Sequence, residues 1–113
     1  IHHCLNIVTD KENFASGVLI RSVFISKKNE RLASGPGLVT KAFSVDISFN
    51  SIEVLNNKSL WISPRDSTLE EKDLIQTTRI GISKAKNIKW RWYLKNSRSV
   101  SKRLKGDRTP KFQ

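Results

Sequence analysis

The stretch Thr77–Tyr93 sets the terms for the rest of the chain. An apolar, strand-like run (Ile80, Ile82) stops in a loop, and a second run then interleaves aromatics with cations, Trp90-Arg91-Trp92-Tyr93. The net charge also begins here. Residues 1–78 carry nine Lys/Arg and nine Asp/Glu, whereas residues 79–113 carry twelve Lys/Arg and one acid, Asp107. The formal charge of +11 therefore belongs to the C-terminal third. A localised positive field of this size calls for a polyanionic partner. A tail that only aids solubility would not need the asymmetry.

At 113 residues the chain is one domain, long enough to bury a real core with 37% hydrophobic residues. Cys4 is the sole cysteine, so an internal disulfide is excluded and a reducing, cytoplasmic setting is expected, nucleoid-associated if the source is bacterial. No apolar run approaches membrane-spanning length, and no membrane partner is expected. The chain holds no Met and starts abruptly at Ile1-His2-His3-Cys4, which reads as the C-terminal piece of a longer protein.

Taken in order, Cys4–Val8 is a short β-branched run with the character of a buried strand. Asn6 inside it is either satisfied by backbone groups or faces a pocket. Thr9–Ser16 is a polar hairpin turn. Gly17–Ile25 is the clearest strand in the chain, interrupted by Arg21, a charge that belongs at a strand edge or in a functional cavity. Ser34-Gly35-Pro36-Gly37 starts a helix, with Ser34 as cap and Pro36 in the first turn, and Leu38–Val45 supplies the apolar stripe. Leu60-Trp61-Ile62 is a short strand stopped by Pro64. Ser67–Asp73 is a loop or a single helical turn. Arg79–Ile82 and Trp90–Leu94 are the last core strands, Val100 still packs, and residues 101–113 form a basic, mobile tail.

Catalytic chemistry is harder to find. His2, His3 and Cys4 adjoin one another, but neighbouring strand residues point to opposite faces and no second cluster completes a metal site. The acids are scattered through loops, with none in an apolar run where desolvation would raise its pKa toward a base's working range. The residues alone give a nucleic-acid surface, built from Arg79, Lys84, Lys86, Lys89, Arg91, Lys95 and Arg98, and no visible catalytic group.

Six motifs in order, Cys4-Leu5-Asn6-Ile7-Val8, Val18-Leu19-Ile20-Arg21, Gly35-Pro36-Gly37, Arg79-Ile80-Gly81-Ile82, Trp90-Arg91 and Val100-Ser101, resemble the C-terminal half of the 3-methyladenine (alkyladenine) DNA glycosylase family. The resemblance runs from Ile1 to about Lys102. It implies an α+β fold, with a curved, mostly antiparallel sheet and short flanking helices in a single domain whose N-terminal half is missing here. It also implies excision of alkylated or deaminated purines from damaged double-stranded DNA, by flipping the nucleotide into a pocket and directing a Glu-activated water at C1′, without metal or other cofactor. Carried over by position, Asn6, Leu19 and Arg21 match the base pocket, Asn6 as the residue that rejects guanine. This favours the pocket reading of Asn6 and Arg21. Trp90, Arg91 and Trp92 are expected to pack in the core beneath a cationic outer face.

The departures matter as much. The family's general-base Glu and intercalating Tyr would both fall before Ile1, so no catalytic residue is assigned within the chain. Leu38 stands where the family has Lys, and Lys89 where it has Pro. The expectation is an N-glycosidic-bond hydrolase of base-excision repair, inactive as this piece alone, with a separately encoded N-terminal half as a candidate partner and no obligate oligomer. The competing readings are a non-catalytic DNA-binding remnant and an unrelated basic RNA-binding protein. A sheet cut across its middle would leave open edges and exposed apolar residues near Cys4–Val8, and so a poorly soluble chain.

Overall fold

The two best alternating runs of the N-terminal part fold back on each other. In a computed structural model that describes residues 3–55, 57–65 and 68–102, strands β1 (Leu5–Val8) and β2 (Gly17–Ile20) form an antiparallel pair in which Asn6 lies opposite Leu19 and Ile7 opposite Val18. The polar turn between them is closed by Thr9 N–H donating to Ser16 O at 3.3 Å and by their hydroxyls 2.6 Å apart. Beyond Ile20 the pairing continues only as a bridge, Ser22 with Ser34, and as Val23 N–H donating to Ala33 O. The strand expected to reach Ile25 is therefore split at Arg21.

Helix α1 (Pro36–Ala42) packs on this hairpin. Gly35 precedes it at φ 141°, a conformation that side-chain-bearing residues rarely adopt. Pro36 then supplies the fixed φ suited to the first helical position. The cap expected from Ser34 is not made: Gly35 takes the cap position, and no side chain bonds the free N–H groups there. Val39 is completely buried, and Thr40 Oγ lies 3.0 Å from both His3 O and Gly37 O, fastening the helix to the start of β1. With Ala33 and Val45, Val39 forms most of a small apolar core.

The C-terminal part is a second antiparallel pair, β3 (Leu74–Thr77) with β4 (Arg91–Leu94). A 3₁₀ turn at Glu71–Asp73 leads into β3, and Asp73 Oδ2 accepts the Glu70 N–H at 3.1 Å. The architecture is α+β with antiparallel strands, but the described strands fall into two separate pairs and not one continuous sheet. No described helix is long and apolar enough to cross a membrane.

Three local expectations are corrected. Arg79–Ile82 is not a strand, because Gly81 sits at φ 71°, outside the extended region, and the pairing ends at Thr77. Leu60–Ile62 makes no strand; Ile62 N–H donates to Val54 O as an isolated contact. Trp90 and Trp92 are not core residues, being 63% and 55% exposed, while Arg91 and Tyr93 between and beside them are buried. The tail's residues 103–113 lie outside the described part of the chain.

Val39→Ala removes two methyl groups from a fully buried side chain and is expected to cost about 2 kcal/mol. Val8→Ala, at a side chain 73% exposed, is expected to stay within about 0.5 kcal/mol of the parent. Urea midpoints of the two variants check the contrast.

Candidate nucleic-acid interface

The hairpin register brings two of the three pocket candidates together. Asn6 and Leu19 are direct cross-strand partners, so their side chains share one face of the β1–β2 pair. Asn6 is exposed and Leu19 half-buried. Arg21 follows where β2 ends, half-buried, its Nε sealed from solvent and without a hydrogen-bond partner among the described residues. An unpaired, solvent-free donor on a charged group is costly.

Arg21 also lies close enough to Arg91 to oppose its charge. Burial lowers the Arg91 pKa from its ordinary value, the Arg21 guanidinium lowers it further, and Tyr93 acts in the opposite sense. Arg91 compensates with a fork of hydrogen bonds: its Nη2 donates to Ser101 O and Lys102 O, both at 2.9 Å, and its guanidinium carbon stands 5.1 Å from the Tyr93 ring centre. Arg31 grips the same segment, donating to Arg98 O at 2.9 Å and Val100 O at 3.1 Å. Glu30 completes the clamp through an ion pair with Arg98 at 2.8 Å.

The seven surface cations assigned from sequence are thus placed differently. Arg79, Lys84, Lys86, Lys89 and Lys95 are exposed, with Arg79 6.0 Å from the Trp90 ring centre. Arg98 is half-buried and paired with Glu30. Arg91 points inward and holds backbone carbonyls. Sequence reasoning missed Arg31 as well. Its charge looked like part of a loop, and nothing local signals a partner 67 residues away.

A cleft of about 620 Å³ opens beside the Gly35-Pro36-Gly37 turn, lined also by His3, Leu38, Thr40, Lys41, Ser44, Val45 and Asp46. Asn6, Leu19 and Arg21 do not line it. Lys41 was not singled out in the sequence, yet it is three residues after Leu38 and on the same helix side; it gives the cleft a cation. Asp46 at the rim has its pKa lowered, chiefly by hydrogen bonds from the Ser48 hydroxyl and N–H. Among the described residues no group of three His, Cys, Asp or Glu could hold a metal ion.

With this geometry in place, the comparisons with known proteins become decisive. The family profile described as methylpurine-DNA glycosylase (MPG) matches residues 1–98. The chain belongs to this methylpurine-DNA glycosylase family. Proteins named "Putative 3-methyladenine DNA glycosylase" are similar to it across most of its length. The one from Trichodesmium erythraeum is 35% identical over 119 residues, covering 90% of this chain and 59% of the relative. That from Synechococcus sp. is 34% identical over 116 residues, covering 89% and 60%. That from Carboxydothermus hydrogenoformans is 36% identical over 115 residues, covering 91% and 60%. The chain therefore spans about three-fifths of the length of these relatives. No solved structure matches it.

The Arg91 fork generates a prediction. Arg91→Lys retains the charge but not two in-plane donors on one guanidinium, so the segment 98–102 is expected to loosen. Trypsin should then cut after Arg98 and Lys102 several-fold faster than in the parent chain, with a stability loss of about 2 kcal/mol for the broken charged hydrogen bonds. Unchanged cleavage kinetics would show that the segment is held by other contacts.

Proposed function

We propose that this chain supplies the base-selecting and DNA-gripping part of a glycosylase that releases alkylated or deaminated purines, of the 3-methyladenine type, from duplex DNA. The observation that carries the proposal is the family match over residues 1–98, shared with relatives named for that activity. The target base must leave the stack to be reached. Asn6, exposed opposite Leu19, would present an amide to a flipped purine, and the 2-amino group of guanine would collide with it. The buried, unpaired Nε of Arg21 would be satisfied by an acceptor on the flipped nucleotide. Arg79, Lys84, Lys86, Lys89 and Lys95 would follow the phosphate backbone, and Lys41 would add a contact beside the Gly35–Gly37 turn.

Hydrolysis adds a water hydroxyl to the sugar C1′ as the N-glycosidic bond breaks; one water hydrogen stays on that hydroxyl. The other must be removed by a carboxylate acting as general base, and it ends on the departing purine or in solvent. The described acids are poorly suited: Asp10, Asp46 and Asp73 accept backbone N–H groups, Glu30 and Glu70 pair with Arg98 and Lys72, and Glu12, Glu53 and Glu71 are exposed. The base is accordingly assigned to the part of the domain that this chain does not span. The same observation favours a second reading, in which the chain binds DNA without cutting it.

Excision of hypoxanthine or 3-methyladenine from duplex DNA discriminates the two. The 113-residue chain is expected to release no base, and a form extended to the full family length to release it; inactivity of both leaves the binding reading. In the active form, Asn6→Ala is expected to reduce discrimination against guanine by about tenfold to a hundredfold. Separately, Lys84→Ala and Lys86→Ala are each expected to flatten the slope of log affinity against log salt by about 0.9, and unchanged slopes would remove these lysines from the interface.

A further inference from the structure

The outward face of the β3–β4 pair is apolar and uncovered by the described residues. Register places Leu74 opposite Leu94 and Gln76 opposite Trp92, and burial alternates so that these four turn away from Ile75, Thr77, Arg91 and Tyr93. Trp92 is 55% exposed, Leu94 42% and Leu74 39%, and Trp90, two residues before Trp92, is 63% exposed. Large side chains collected on one sheet face in this way form the kind of contiguous patch that marks an interaction surface. A two-stranded pair is also marginal by itself, and stability requires a layer packed against such a face.

We propose that this face is the seat of the polypeptide that completes the family domain, the roughly two-fifths of the relatives' length that this chain does not span. The proposal rests on the reading of the chain as part of a larger glycosylase, and it names the surface through which the parts join. The occupant lays the apolar side of a helix or sheet across Trp92 and the Leu74–Leu94 pair. Two other occupants fit less well. A second copy of the chain would bring another +11 of charge against the first, and like fields of that size oppose association. A nucleic acid would find rings at Trp90 and Trp92 to stack on, but Leu74 and Leu94 offer a base nothing comparable. The Gln76 amide, which could read a base edge, already donates to Lys89 O at 2.9 Å.

The test uses tryptophan emission. In a Trp61→Phe background the remaining indoles are Trp90 and Trp92, so emission reports on this face. The protein is mixed with separately purified segments of the Trichodesmium, Synechococcus and Carboxydothermus relatives that lie outside the match. The expected result is a one-to-one complex by size-exclusion chromatography with at least one segment, a blue shift of emission, and at least roughly tenfold weaker association for Trp92→Glu. Leu94→Glu, at a second exposed position on the face, is expected to weaken it likewise, and circular dichroism of both variants verifies that the chain itself is unchanged. The proposal is overturned if no segment shifts the emission, if the shift needs a single-stranded oligonucleotide instead, or if it tracks self-association of the chain. Excision by the extended protein is measured apart from this, so a failed docking face and a failed glycosylase reading give different results.

Discussion

Two arginine forks hold the molecule together. Arg31 and Arg91 reach the segment 98–102 from different elements and donate to four of its carbonyls. The hairpin–helix unit and the β3–β4 pair share no contact of the size that joins β1 to β2 or α1 to either strand, and among the described residues this segment straps the two together through Arg31 and Glu30. It also abuts the entry to α1, where a side chain on Gly35 would meet the Ser101 hydroxyl at 3.9 Å. A buried guanidinium is tolerated only when its donors are engaged; for Arg91 the carbonyls of Ser101 and Lys102 do this. The interaction stabilises the strap and allows a charge beneath the sheet in the same arrangement.

Such dependence on polar contacts follows from the sparse core. Among the described residues Ala33, Val39, Val45 and Tyr93 are the buried hydrophobic ones, whereas three tryptophans and several Phe, Leu and Val side chains keep a third or more of their surface in water. The described residues expose more apolar surface than their own layers cover. That excess is coherent with a chain spanning three-fifths of its relatives' length, since layers of a domain bury one another and not themselves.

What the sequence revealed divides by range. The β1–β2 hairpin was legible because the turn at Thr9–Ser16 and the flanking β-branched runs are local signals, and the Asn6–Leu19 pairing follows once the turn is placed. The start of α1 was legible from Gly35 and Pro36, although the cap was assigned one residue early. In β4 the alternation was visible but its sense was not. Periodicity groups Arg91 with Tyr93 and Trp90 with Trp92, and hydrophobicity then selects the tryptophans for the interior. The structure makes the opposite choice because Arg91 finds its carbonyls ten and eleven residues downstream, a relation no window of sequence displays. Arg79–Ile82 misled for a smaller reason: its isoleucines alternate like a strand, but Gly81 turns the backbone left-handed.

The span of the strap contacts bears on the order in which the chain assembles. Thr9 and Ser16 close the first hairpin across seven residues, whereas Arg31 meets Arg98 and Val100 across 67 and 69. Closing the longer loop costs about 2 kcal/mol more in chain entropy. The hairpins are therefore expected to form first and the strap to close after them. During synthesis the segment 98–102 leaves the ribosome after the N-terminal unit, so that unit must wait, its apolar faces open, for the residues that fasten it.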